Sequence, residues 1–163
     1  MLHQRCLVAH QLDRVDLKIL SILQEDGRIT NVELAKRVGI SAPPCLRRVR
    51  HLEQEGFIVG YHADLDPQKL DFHITVFVMV GLSSQAKADL ELFEKRVRSW
   101  PFVRECHMLN GEIDFILKCV APDLPRFQEF LENQLLPTSN VASVKTSLTI
   151  HRSKMAHGVP LEN

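Results

Sequence analysis

Apolar residues recur at helical spacing in the first third of the chain. Leu12, Val15, Ile19, Leu20 and Leu23 put one apolar stripe on a helix predicted over Asp13–Glu25. Asp26-Gly27 ends it, glycine supplying the left-handed conformation of a helix exit. A second helix is predicted from Thr30 or Asn31, where Thr30 and Glu33 have the spacing of a capping box. Leu34, Ala35 and Val38 form its inner face and Gly39 stops it. Ser41 stands where it can cap a third helix. Pro43 and Pro44 are tolerated in that helix's first turn, whose N–H groups have no intrahelical partner. Its predicted core positions are Leu46, Val49 and Leu52, and Gly56 closes it. Phe57–Tyr61 reads as a short strand, either the edge of a small wing or a connector.

The pattern then changes. Ile74–Leu82 is a β-branched and aromatic run, read as a central strand. Ala86–Arg98 is a helix with Leu90, Phe93 and Val97 inward, broken at Trp100-Pro101. Val103–Leu109 and Ile113–Val120 read as strands around an Asn110-Gly111 hairpin turn. Pro122 and Asp123 start a helix to Leu136, with Leu124, Phe127, Leu131 and Leu135 on one side. Val144, Thr146, Leu148 and Ile150 alternate as a fourth strand.

The order βαββαβ is the ferredoxin-like split unit. The fold class is therefore α+β, an N-terminal winged helix-turn-helix joined to a ferredoxin-like domain. The expected layout is a tail at 1–11, the helix-turn-helix at 12–60, a hinge at 61–71, the ferredoxin-like domain at 72–151 and a tail at 152–163. Such a sheet carries helices on one face. Both faces of Ile74–Leu82 are largely apolar, so the open face is expected to be hidden in a homodimer.

Two short helices around a glycine-containing turn, the second one basic, suit a double-stranded DNA partner. The formal net charge is zero, but its distribution is uneven. Between Leu34 and Leu52 the charged residues are Lys36, Arg37, Arg47, Arg48 and Arg50, with no acid among them. Ser41 and Ala42, near the N-terminus of the third helix, suit phosphate contact. The arginines can reach phosphate or a guanine edge. Arg47 and Arg50 share a face and Arg48 points elsewhere, leaving one of the three for a surface or intramolecular salt bridge. The DNA-binding candidates are thus Lys36, Arg37, Ser41, Ala42, Pro44, Arg47, Arg48 and Arg50.

Other classes fit poorly. No signal-peptide or membrane-spanning run is present, so the expectation is a cytoplasmic protein with no membrane partner. Cys6, Cys45, Cys106 and Cys119 fit no zinc or CxxC spacing and read as buried or half-buried thiols. His73, His107, Glu112, Asp114 and His151 are candidate acids and bases. They sit in no triad, phosphate-cradling glycine loop or HExxH arrangement, so neither an enzyme nor a metal or cofactor is expected. Asn110–Asp114 carries more. A turn with exposed N–H groups can hold a carboxylate, and nearby acids can hold an ammonium, which together suit an amino acid. Alternatively, Asp114 makes only a local hydrogen bond to the turn.

The stretches LDRVDLKILSILQEDGRITNVELAKRVGIS (12–41), CLRRVRHLEQEGFIVGYHADLDPQKL (45–70) and ECHMLNGEIDFILK (105–118) carry a resemblance. The chain resembles the leucine-responsive/asparagine-responsive (Lrp/AsnC) family of transcription regulators, from about Leu12 to His151. The resemblance implies dimers that gather into tetramers or octamers, with a small amino acid effector bound between dimers. Carried over, Ser41–Arg50 would read DNA, and Leu109, Asn110, Gly111 and Asp114 would border the effector. An alternative of the same architecture is a DNA-organising protein without a ligand. The chain departs from the family pattern in two places. Pro43 stands where many relatives carry a small hydroxylated residue. The turn is Asn110-Gly111-Glu112 rather than Gly-Asp or Gly-Glu after Ser or Thr.

Overall fold

The structure, a computed structural model, describes residues 12–161. Cys6 and the 1–11 tail lie outside the described residues. The chain forms two compact units. One takes the residues up to Asp64 and again those from Lys154 on; the other is Leu65–Ser153.

The first unit is a three-helix head of α1 (Arg14–Glu25), α2 (Asn31–Val38) and α3 (Ala42–Gln54). Asp13 and Asp16 cap α1 reciprocally: the Asp16 N–H donates to Asp13 Oδ1 at 2.8 Å and the Asp13 N–H to Asp16 Oδ2 at 3.3 Å. At α2 only half of the expected box forms. The Glu33 N–H donates to Thr30 Oγ1, while the Glu33 carboxylate turns away to Arg37 at 3.2 Å. Gly39, at φ 87°, opens the turn into α3. Gly27 is not left-handed, contrary to expectation. Asp26 makes that exit, its carboxylate accepting the Arg28 N–H at 3.0 Å.

Ser41 occupies the N-cap position of α3 but makes no capping bond. An N-cap oxygen accepts from the second or third helical N–H, and those positions are Pro43 and Pro44, which have none. The head's core is Ile19, Leu34, Ala35, Val38, Cys45 and Leu52. Cys45, not the predicted Leu46, faces inward: Cys45, Val49 and Leu52 form the i, i+4, i+7 stripe, and Leu46 is exposed.

The segment 57–61 is not a strand and has no ladder partner among the described residues. It lies along the head instead. The Phe57 N–H bonds the Leu52 carbonyl at 2.9 Å, Ile58 packs on the core, and the Tyr61 hydroxyl donates to Glu53 at 3.0 Å. Burial and that carboxylate push the Tyr61 phenol up to about 12. The returning tail is also fastened to the head. The Val159 N–H donates to Gln24 Oε1 at 2.6 Å and Gln24 Nε2 donates to the Val159 carbonyl at 3.2 Å. Gly158, at φ 69°, lies so close to the Gln24 side chain that a Cβ there would overlap it.

The second unit is β1 (Ile74–Leu82), α4 (Lys87–Val97), β2 (Val103–Met108), β3 (Phe115–Ala121), α5 (Leu124–Phe130, widening to a π-turn over Leu131–Leu135) and β4 (Val141–Leu148). The sheet is antiparallel in the order β2-β3-β1-β4, the ferredoxin-like arrangement. Val76, Val78 and Val80 of β1 with Phe115, Leu117 and Cys119 of β3 face the helices. Phe93 and Val97 of α4, together with Trp100, Phe127, Phe130 and Leu135, close over them. The Phe93 ring lies 4.7 Å from that of Phe115, and Trp100 meets Phe130 edge-on at 5.4 Å. Phe130 takes the inward place expected of Leu124, which is exposed near the start of α5. On edge strand β4, Val144 is partly buried and Leu148 exposed, and the predicted Ile150 falls beyond the strand. The helix-free face carries Phe77, Met79, Ile116 and Val120, beside a Lys118–Glu105 ion pair at 2.6 Å. The hydrogen bond from Lys118 holds the Glu105 carboxyl below the usual carboxylate range.

The described cysteines are free thiols: Cys45 and Cys119 are buried in the two cores, and Cys106 is partly buried against the second. Burial pushes Cys106 up to about 11 and Cys119 up to about 12, which favours the neutral thiol over the nucleophilic thiolate.

Candidate nucleic-acid interface and effector pocket

The exposed side of α3 forms a groove of about 590 Å³ lined by Asp16, Pro43, Leu46, Arg47, Arg48, Arg50, His51 and Gln54. Arg47 and Arg50 are exposed along it and carry no ion pair among the described residues. Arg48 differs. Its Nη1 lies 2.8 Å from Asp13 Oδ2 and 2.8 Å from Asp16 Oδ1. Hydrogen bonding, to Asp16 above all, holds its guanidinium protonated beyond its ordinary range. Arg48 is thus the intramolecular salt-bridge residue among the three arginines. Arg37 is paired with Glu33 on α2, and Lys36 is exposed beside it. Ser41 and Pro44 stand at the N-terminal end of α3. The Ala42 carbonyl there accepts from Asn31 Nδ2 at 2.8 Å, a tie between α2 and α3. Asn31 has no charge and no periodic signature, so nothing in the sequence marks it.

In the other unit Leu109, Asn110, Gly111 and Asp114 come together. With Gln85, Leu90 and Met108 they line a pocket of about 180 Å³. The expected two-residue turn at Asn110-Gly111 does not form, because neither residue takes the positive φ it requires. The strands end at Met108 and Phe115, and the Leu109 N–H closes the loop onto the Asp114 carbonyl at 2.8 Å. The Asp114 side chain is 8% exposed, and its Oδ2 accepts the Leu82 N–H at 2.6 Å, where the β1–β4 register slips. Its bond therefore reaches across to β1 rather than to its own turn.

Gln85, Leu90 and Met108 were not among the sequence candidates. Gln85 follows β1 on a loop clamped by Asn140, whose Oδ1 accepts from the Ser83 hydroxyl at 2.7 Å and the Ser84 N–H at 3.0 Å. Such a contact between distant loops has no local sequence signal. Glu112 and His107 are exposed, and His73 and His151 make only exposed polar contacts. No group of three potential metal ligands occurs among the described residues. No helix among them is long and apolar enough to cross a membrane.

Residues 12–59 match a family described as winged helix-turn-helix DNA-binding, and residues 75–159 match the Lrp/AsnC ligand binding domain. The chain belongs to the Lrp/AsnC family of transcriptional regulators. Among curated Lrp/AsnC relatives it is 55% identical to the leucine-responsive regulatory protein of Rhizobium meliloti over 92% of this chain and 96% of that one. It is 42% identical to the protein of the same name from Escherichia coli K12, covering 90% and 89%. A Neisseria meningitidis transcriptional regulator solved in complex with L-Met superposes with TM-score 0.88 at 39% identity, covering 92% of this chain and 97% of that one. An AsnC family regulator from Agrobacterium tumefaciens gives 0.87 at 34%, with the same coverage. Like its family, the chain is a DNA-binding regulator with a ligand-binding domain, and a regulatory protein rather than an enzyme.

Proposed function

We propose that the head reads double-stranded DNA with the Arg47–Arg50 face of α3, and that the Leu109–Asp114 pocket binds a small amino acid that shifts assembly or DNA affinity. The observation that carries the effector reading is the pocket's chemistry. Leu90, Met108 and Leu109 offer an apolar wall for an aliphatic or thioether side chain. Gln85, Asn110 and the free oxygen of Asp114 offer polar partners for a zwitterionic end. The Neisseria relative holds L-Met, an amino acid of that class.

The protein is proposed to act as a homodimer through the helix-free face of its sheet, with dimers gathering into tetramers or octamers around the effector. A ligand seated between dimers acts only by binding one assembly better than another.

Melting the ligand-free protein with each common amino acid tests the reading. Binding to the native state raises the melting temperature by linkage. A selective rise is expected for methionine, leucine or a similar side chain. Gly111→Leu makes the test specific. Gly111 lines the pocket and a Cβ there meets nothing within 4 Å, so a larger side chain has room beside the pocket without disturbing the fold. It should leave the ligand-free melting temperature unchanged and abolish the rise. No rise with any amino acid would favour a ligand-independent DNA organiser of the same architecture.

A further inference from the structure

Arg48 lies in the basic stretch of α3, and charge alone would group it with Arg47 and Arg50 against phosphate. Its guanidinium is already engaged by the two carboxylates that cap α1, Asp13 and Asp16, each at 2.8 Å. One cation thereby joins the start of α1 to the middle of α3. Asn31 ties the first residue of α3 to α2. The helix is held at Ala42 and again six residues later, about 9 Å along its axis.

To turn its engaged Nη1 toward a phosphate, Arg48 would give up its contacts with both carboxylates and leave two anions, each still holding one capping N–H, without their counter-charge beside a polyanion. The Asp16 side chain is 16% exposed, so water would compensate it poorly. We propose that Arg48 is a positioning residue: it sets the pose of α3 through Asp13 and Asp16 and leaves phosphate and base contact to Arg47 and Arg50. This inference rests on the proposed DNA-reading face of α3.

The test uses the full chain with an operator selected from random duplexes and an unrelated duplex of equal length. Arg48→Met and Asp16→Ala are each expected to weaken operator binding on the order of tenfold, and the double variant no further, the signature of one coupled unit. Binding to the unrelated duplex, and the slope of log affinity against log salt, should not change in Arg48→Met. The sign at Asp16 is decisive, since removing an acid near DNA tightens binding by simple electrostatics, whereas loss of positioning weakens it. Three results overturn the inference: a salt slope lowered by about 1 with equal weakening on both duplexes, as a phosphate partner requires; additive weakening in the double variant; or tighter operator binding by Asp16→Ala. Should Arg48→Met melt below the assay temperature, Arg48→Lys, which can reach one carboxylate, should show a smaller operator defect at unchanged slope. Failure of the DNA-reading face itself is distinguishable, because Arg47→Ala and Arg50→Ala would then leave operator binding intact.

Discussion

Arg47 and Arg50 lie three positions apart on α3, so their side chains leave the helix on neighbouring lines along one groove. Each is expected to contribute separately to DNA affinity. If an arginine neutralises a phosphate, its replacement by alanine lowers the salt slope by about 1; if it reads a guanine, the same replacement relaxes preference at one base pair by about 1–3 kcal/mol. Titration of Arg47→Ala and Arg50→Ala at several salt concentrations against single-base operator variants separates the two. At this scale the basic stretch was legible as a whole, because charge is written locally. The face shared by Arg47 and Arg50 was legible too, from their three-residue spacing, but the partners of Arg48 were not. Asp16, which engages Arg48, lies 32 residues away, and no spacing rule connects them. Asp114 is similar: it belongs to the pocket wall, but its bond to Leu82 comes from the pairing of β1 with β3.

At the scale of elements, the two N-caps of the helix-turn-helix are chemically alike and physically different. The Thr30 oxygen accepts the Glu33 N–H, whereas Ser41 faces two prolines. Thr30→Ala should therefore cost about 1 kcal/mol of stability and Ser41→Ala less than about 0.5. Urea unfolding of both variants at a common slope measures the difference. A cost at Ser41 equal to that at Thr30 would show that its hydroxyl supports the fold. Ser41 is instead left with a hydroxyl that capping does not use, at the end of α3 proposed to approach DNA. Long elements were plain in the sequence: β1 occupies the predicted Ile74–Leu82, since its run of β-branched residues suits a central strand paired on both edges. Phe57–Tyr61 has a similar composition but no ladder partner among the described residues; Ile58 packs on the head core instead, Tyr61 bonds Glu53, and Val59 stays exposed. Composition marks a segment that prefers to be extended; only pairing makes it a strand.

For the whole molecule, the helix-free face of the sheet sets the expected assembly. Phe77 is 38% exposed near its centre, flanked by Met79 and the Lys118–Glu105 pair. Phe77→Asp would place a charge in the proposed dimer interface without entering the core, which lies on the opposite side of β1. Sedimentation should then show a folded monomer with weakened operator binding, since two linked heads gain from effective concentration. An intact dimer would place the interface elsewhere.

Gln24 and Val159 are 135 positions apart, yet each backbone polar group of Val159 is held by the Gln24 amide. The head is therefore assembled from the earliest and the latest described stretches of the polypeptide. During synthesis its helices emerge first and can pack at once, while the strap that finishes them arrives only after Leu65–Ser153 has been made. A fluorophore attached next to Val159 would thus sit on a segment anchored on α1. It would report on, and crowd, the half that reads DNA rather than the half that senses the ligand.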